Sequence, residues 1–497
     1  MAGSRWDRWL FVGLALLYLL PIWVVRFVPT TDGPCHLYNS WILRQLLTGE
    51  APPVIEQHYE VNPRPFPNWS GQAMMALLLG AVPPAAAEKI VASSCVLLFL
   101  LGLRYLAGSV DPARGWFAFL GFPLAYNWTF QMGFYNFALS LGLFLFAVGF
   151  WWRRRERLSP RGALGLNALL LAVYFSHILS LLFALFAIGV LWLATLRKGN
   201  LRNHLLQIPL LAPQAVLPLW FIASQEEPTI GGALLLGDWW RYLRRLEILF
   251  TFSPEQLQLG SAVAALFALL AVWTLAQAFQ GGRPRPEDGF LLLAALFVLL
   301  FFVAPDTSAG GSLIKHRLSL YPYLMLVPWF SARTGRWVKP AGVVLLTLLA
   351  LANLAWLTRW YRTADRETAV FLAGLEATAP QARVLTLLFD RRGPVVRFDL
   401  FGHATARAAL DKALIDWDNY QAATDFFPVR FKPVVQRPDI WPVYADPANL
   451  RLAQWAPKTE YIYAWKMPPD APVAERLLRR YKLVAESGGG KLFERRP

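Results

Sequence analysis

An acid stands just past the first apolar run of this chain, in Asp32-Gly33-Pro34-Cys35-His36-Leu37-Tyr38-Asn39. The preceding stretch, Trp9 to Val28, has the ~20 residues that cross a bilayer. The chain leaves it through Pro29-Thr30-Thr31, so Asp32 falls at the water–lipid boundary. An ionisable side chain there is costly unless it is solvated, paired or used, which makes function the working hypothesis for Asp32. The plain alternative is a loop acid beside a proline-set turn. A carboxylate whose direction is fixed by Gly33 and Pro34 can take a proton from a hydroxyl. His36 lies four residues on. If it opens a helix, its imidazole and Asp32 face one pocket, and the two form the candidate catalytic pair. Tyr38 and Asn39 follow as candidate substrate contacts. An Asp–His pair also ligates divalent metals, but one pair is weak support for a metal site.

A second group, Lys315-His316-Arg317, gathers three cationic or titratable side chains directly before the apolar stretch that starts at Leu318. A guanidinium grips phosphate with a two-pronged fork and an ammonium adds a point charge, so these three are the candidate phosphate-binding residues. Lys and Arg at helix ends also reach lipid headgroups with no specific role. Two features favour a specific site. The charges fall on the side opposite most of the basic residues, and Pro322 loosens the helix that follows them. A third group, Trp239-Trp240-Arg241-Tyr242-Leu243-Arg244-Arg245-Leu246-Glu247, repeats apolar and basic residues at helical spacing and reads as an amphipathic helix at the membrane surface. Arg241, Arg244 and Arg245 are candidate lipid-phosphate contacts, and Asp238 and Glu247 are candidate second acids. A surface-resting helix without catalysis explains that pattern more simply. His177 stands at a break between apolar runs, where a structural histidine is a simpler reading than a substrate contact.

These groups need a scaffold, and the composition points to a membrane. Hydrophobic residues make up 56% and charged residues 16%, with mean hydropathy +0.38; an ordinary soluble domain has about 25% charged residues. The expected fold class is a polytopic α-helical membrane protein with about eleven transmembrane helices. The expected spans are 9–28, 85–107, 115–126, 130–152, 162–175, 178–196, 204–223, 260–279, 289–304, 318–331 and 338–358. The stretches 115–152 and 162–196 each exceed one span and are broken at Tyr126-Asn127-Trp128 and Phe175-Ser176-His177. One set of loops, including Arg153-Arg154-Arg155, holds seventeen basic residues against five acidic ones. The positive side faces the cytoplasm, which puts the N-terminus inside and Asp32, the 224–259 loop and the tail outside. The net charge of +16 then reports topology and contact with anionic membrane lipids, with no nucleic-acid partner. Arg5 and Arg8 precede a long run with no small-x-small site after it, which reads as an uncleaved signal anchor. Residues 68–82, bounded by Pro67 and Pro83-Pro84, read as a helix on the outer face, because a crossing there would put Arg153–Arg157 outside. With residues 36–47 they make an external loop, 29–84, of interfacial helices. The two cysteines, Cys35 and Cys95, offer no disulfide framework or cysteine metal cluster within one chain.

Residues 1–358 are therefore read as a transmembrane domain and 359–497 as an external α/β domain. Arg383–Phe389 and Glu460–Trp465 read as strands, and Ala474–Arg480 as an amphipathic helix. Tyr481–Glu486 and Lys491–Arg495 flank Gly488-Gly489-Gly490 as a hairpin. The aromatics and prolines between Asp416 and Pro447 read as a long loop that rests on the membrane or on a sugar, or equally as a structural cap.

This layout resembles the membrane-integral C-type (GT-C) glycosyltransferase superfamily, which includes the protein O-mannosyltransferases and the aminoarabinose transferases that act on lipid A. Thr31-Asp32-Gly33 stands where that superfamily carries an essential acid, right after the first span. Arg317-Leu318-Ser319-Leu320-Tyr321-Pro322 loosely fits its R-x-L-x-P-x-x-P pattern, with Pro328 further off than usual. The acid here stands alone, without the acidic pair of many members. The resemblance implies a polyprenyl-phosphate-linked sugar as donor and a glycan, lipid or protein hydroxyl as acceptor. It implies a bacterial inner (plasma) membrane location and a role in the cell envelope. In that frame Asp32 is the base, and Lys315 and Arg317 stabilise the departing phosphate. No cofactor is obligatory, and a divalent metal is compatible. A flippase of lipid-linked glycans would place ionisable groups deep within repeated, broken spans, and few charges lie within these. An O-antigen polymerase or ligase needs neither an acid after the first span nor a soluble tail. A non-catalytic envelope scaffold would work through the tail, and no sequence feature excludes it.

Overall fold

The first apolar run folds as Arg5–Leu17 followed by Leu20–Trp23, together one candidate crossing from Trp6 to Trp23. Pro21 lacks an N–H and interrupts the ladder, and helix ends at Trp23 instead of Val28. The N–H groups of Arg26 and Phe27 donate to the Asp365 carboxylate at 3.1 and 2.7 Å, so the non-helical exit keeps its backbone satisfied. The computed structural model describes residues 5–224, 236–280, 283–308, 311–333, 339–394 and 397–497. Residues 225–235 of the expected 224–259 loop lie outside the described residues.

Among the described residues, seven more helices are long and apolar enough to cross a membrane. They are Pro84–Val110, Tyr135–Arg154, Ile178–Thr195, Lys198–Ala223, Gln256–Gln280, Pro286–Val303 and Lys339–Ala373. The other three expected spans are helical but shorter than a straight crossing of ~20 residues. Span 115–126 is a 3-10 turn, Gly115–Gly121, running into Phe122–Ala125. Span 162–175 lies in Pro160–Ser176, and span 318–331 in Tyr321–Arg333, which contains Pro328. Both expected breaks are present. The chain turns at Tyr126, and Asn127 Oδ1 accepts from the N–H of Thr129 at 3.0 Å. His177 is extended, and its ring caps the next helix by accepting from Leu179 N at 3.2 Å. The chain is a polytopic helical membrane protein.

The chain divides into two compact units. The first comprises Met1–Leu20, Ser93–Phe130 and Asn136–Trp356. At its core the Tyr321 ring packs against Phe183, Phe144 and Phe297 at 4.8, 4.9 and 5.2 Å between centroids. The second comprises Pro21–Ala92, Gln131–Tyr135 and Leu357–Pro497, so a cut at residue 358 would separate the first loop from the tail with which it packs.

Among the described residues, the second unit contains seven strands: β1 Tyr59–Val61, β2 Arg383–Leu388, β3 Ile415–Asp416, β4 Val429–Phe431, β5 Tyr461–Trp465, β6 Tyr481–Ser487 and β7 Gly490–Arg495. Five form a sheet in the order β3-β2-β5-β7-β6, parallel through β3, β2 and β5 and antiparallel beyond. Strands β2 and β5 are buried almost throughout, which is why they read as continuous apolar runs without alternation. The hairpin between β6 and β7 turns on Gly488 and Gly489, with φ of +59° and +96°. Strand β1 of the first loop pairs antiparallel with β4 of the tail, Tyr59 opposite Phe431. Phe371 packs at 5.2 Å from Phe401 and 5.1 Å from both Tyr463 and Trp465, forming the aromatic core. The first-loop helix, Gly33–Thr48, was expected to rest at an interface. It instead buries its first half, Gly33 to Ser40, against helices Ser70–Leu78 and Thr405–Lys412.

Candidate active site

Asp32 occupies the N-cap position of Gly33–Thr48 but makes no capping bond with its side chain. Pro34 in the first turn pre-sets the helix and needs no N–H partner. Thr31 and Asp32 donate their N–H groups to the carbonyls of Gln131 and Met132 at 3.1 and 3.0 Å. This close approach requires Gly133, whose φ is +75° and whose added Cβ would lie 2.5 Å from Gly33 N. The backbone of Asp32 is thus clamped, and its carboxylate is directed away from the helix it opens.

The carboxylate is 5% exposed and meets the tail. Tyr420 donates its hydroxyl to Asp32 Oδ2 at 2.6 Å. His403 Nε2 stands 3.6 Å from Asp32 Oδ1, and His403 Nδ1 is 2.9 Å from Asp418 Oδ2. The His403 ring lies 4.8 Å from Tyr420 and stacks on Tyr444 at 5.9 Å. Asp416 accepts from the N–H of Asp418 at 3.0 Å.

Burial opposes a charge on His403, but Asp418 first, then Asp32 and Asp416, outweigh it and raise its pKa to about 9. Burial, reinforced by Asp418, lifts Asp416 to about 7. His36 moves the other way: burial, then repulsion from His403, lowers it to about 3. His36 is therefore a neutral, buried ring, packed 5.8 Å from Tyr135 and 5.9 Å from Phe427. Its side chain is not paired with the Asp32 carboxylate, so the expected Asp32–His36 pair is replaced by Asp32–His403. Burial, then Asp32, pushes the Tyr420 hydroxyl well above its ordinary value, keeping it a donor.

Tyr38 and Asn39, expected to touch substrate, are fully buried and tie the helix to the tail. Tyr38 donates to the carbonyl of Leu414. Asn39 and Asn419 exchange amide hydrogen bonds at 2.8 and 2.9 Å, and Gln421 accepts from Asn39 and Gln72 at 3.2 and 2.7 Å. Below them Arg407 grips Glu88 with two bonds of 2.8 and 3.1 Å and donates to the carbonyl of Val28 at 2.9 Å.

The Lys315-His316-Arg317 group belongs to the other unit. Lys315, expected on a phosphate, is 1% exposed and caps a helix C-terminus: its Nζ donates to the carbonyls of Phe301 and Phe302 at 2.8 and 3.1 Å. The His316 ring packs against Trp128, Tyr242 and Trp239 at 4.7, 5.2 and 5.3 Å. Arg317 is half-buried, donates to the carbonyl of Ser312, and lies over the Phe137 ring at 5.6 Å. His177 contacts the same ring at 5.3 Å. Leu313, just before this turn, is left-handed at φ +60°, a conformation that costs about 1–3 kcal/mol and collects at functional sites. The helix Leu236–Arg244 is amphipathic as expected, with Tyr242 and Leu243 buried and Trp240, Arg241 and Arg244 exposed, as is Arg245 just beyond it. Asp238 and Glu247, the candidate second acids, pair with Arg241 at 3.2 and 3.3 Å.

His403, Asp416, Asp418 and Tyr420 escaped the sequence reading. The signal for the last three was the alternation Asp416-Trp417-Asp418-Asn419-Tyr420, read as part of a loop, and no pattern marks His403. Among the described residues, no three His, Cys, Asp or Glu side chains are grouped to hold a metal ion. No family model and no curated protein matches the sequence. Solved structures do match in fold, among them two of ArnT. ArnT from Cupriavidus metallidurans in the apo state is 13% identical with a TM-score of 0.59, covering 99% of this chain and 98% of that one. ArnT bound to undecaprenyl phosphate is 12% identical with a TM-score of 0.56 and the same coverage. From end to end, this chain has the fold of ArnT, with polytopic membrane helices and a C-terminal sheet domain.

Proposed function

We propose that this protein is a membrane glycosyltransferase that moves a sugar from a polyprenyl-phosphate-linked donor to an acceptor hydroxyl at the outer face of the membrane. The observation that carries this reading is the end-to-end likeness in fold to ArnT, which has been seen with undecaprenyl phosphate bound. The residues present are of the kinds such a transfer needs. Asp32 takes the acceptor proton as the acceptor oxygen attacks the anomeric carbon. The bond from that carbon to the phosphate oxygen breaks, and the polyprenyl phosphate leaves with the negative charge. Arg317 holds that phosphate, where charge develops in the transition state. The attack inverts the anomeric carbon. Lys315, engaged with helix carbonyls, leaves Arg317 as the principal cation of its group. Neutral His36 adds no charge, so Asp32 alone serves as base. One guanidinium offsets part of the charge on the departing phosphate; no cofactor is obligatory in this reading, and a divalent ion is compatible with it. Positive-inside loops support a cytoplasmic N-terminus and an external tail in a bacterial inner membrane.

Mass spectrometry of lipids that co-purify in detergent tests the donor site. Wild type is expected to retain a polyprenyl-phosphate lipid that Arg317→Ala loses, and the mass of any sugar on it would name the donor. Equal retention by the two would remove Arg317 from the donor site, and no such lipid on either would count against the transferase reading.

A further inference from the structure

We propose that His403 and Asp418 are positioning residues that hold Asp32 as a carboxylate in a fixed orientation, so that the tail completes the site begun by the first loop. This rests on the reading of Asp32 as the base. The geometry is that of a relay. One imidazole has a carboxylate at each nitrogen, Asp418 at 2.9 Å and Asp32 at 3.6 Å. A neutral ring would turn a lone pair towards one of those two acids, whereas an imidazolium presents an N–H to both. All three groups are buried, with exposures of 7% for His403 and 5% each for Asp32 and Asp418, so charge on one is stabilised chiefly by the others. Tyr420 fixes the second oxygen of Asp32 at 2.6 Å, and its ring and that of Tyr444 both pack against the imidazole.

The other titratable groups facing the relay act consistently. Asp416, behind Asp418, favours the imidazolium, while His36, from the first-loop helix, is kept neutral by its burial and by His403. The Cys35 thiol, one turn along that helix, is held protonated by burial and then by Asp32, Asp416 and Asp418. Arg437 is attracted to Asp418 and Asp416 and offsets part of their charge. An imidazolium beside Asp32 attracts the carboxylate and, with the Tyr420 hydroxyl on its other oxygen, fixes its direction.

The test is NMR titration of the six histidines in isotope-labelled full-length protein in detergent, with His403→Gln identifying the resonance. The expected result is one histidine protonated to about pH 9, moved by at least one pH unit towards its ordinary value in Asp418→Asn. A His403 that titrates near its ordinary value, or one unmoved by Asp418→Asn, overturns the proposal. Turnover supplies a second readout: the acid limb of the kcat profile moves up in pH in Asp418→Asn while KM stays within about twofold. The two readings fail separately. Full turnover by Asp32→Asn with His403 still protonated at pH 8 would sink the base and leave the charged relay. Lost turnover with an ordinary His403 would sink the relay and leave the base.

Discussion

Three carboxylates, Asp32, Asp416 and Asp418, are buried around one imidazole, and the balance among them sets the pH behaviour of the site. His403 has its pKa raised to about 9, so its stabilisation is fully present below its unfolded pKa and is lost as pH rises through about 9. Asp416 acts in a different window. The folded protein holds its proton to about pH 7, whereas the unfolded chain releases it near the ordinary carboxylate value. Stability therefore falls as pH rises across that interval, and the whole cost is present above neutrality. Asp416→Asn keeps an acceptor for the N–H of Asp418 and removes the cost. Its melting temperature should exceed that of wild type by several degrees at pH 8 and match it at pH 4. The same gain at both pH values would mean that Asp416 is not held protonated. Of this cluster only Asp32 was legible in the sequence, because the end of an apolar run marks where a charge must be explained. His403, Asp418 and Tyr420 lie more than three hundred residues away, and no local period points from one to the other.

At the scale of elements, the site depends on how Gly33–Thr48 is fixed between first loop and tail. The buried pair of Glu88 and Arg407 joins helix Thr405–Lys412 to the chain entering Gly33, and Gly33 is where a side chain would meet Glu88 at 2.7 Å. Removing one member leaves an uncompensated buried charge. Glu88→Gln or Arg407→Met alone should each cost about 3–5 kcal/mol, and the double change less than the sum. Thermal or denaturant unfolding in detergent measures this, and strictly additive single effects would show that the two charges are not coupled. The sheet was legible where its strands are long: β2 and β5 carry buried apolar runs, and the β6–β7 hairpin carries a glycine turn that no helix explains. Strands β1, β3 and β4 have two or three residues each, too few to show a period, so the joining of first loop to tail was invisible. The first-loop helix was found by its pattern, but its apolar residues were assigned to lipid when they face protein.

For the whole molecule, the packing of Asp32 with His403 and Tyr420 constrains the topology. If the first loop and the tail of this unit lie on one side of the membrane, an even number of crossings separates them. Among the described residues, seven long apolar helices follow Asp32, an odd number if all of them cross. On that arrangement at least one of the shorter helices, within 115–126, 162–175 or 318–331, crosses as well, in keeping with the eleven spans expected from the sequence. Span positions were legible because composition and charge asymmetry act over whole loops, whereas helix lengths were not, since a proline such as Pro21 interrupts the ladder from within. The most direct test of a sugar transferase with Asp32 as its base is turnover by Asp32→Asn. The variant and wild type would be expressed to equal levels in membranes, and sugar-loaded and sugar-free polyprenyl phosphate on the purified proteins compared by mass spectrometry. The variant should lose turnover by about 10²–10⁴-fold, retaining the sugar-loaded donor where wild type carries the sugar-free lipid. A folded Asp32→Asn protein that releases the sugar at the wild-type rate would contradict the account.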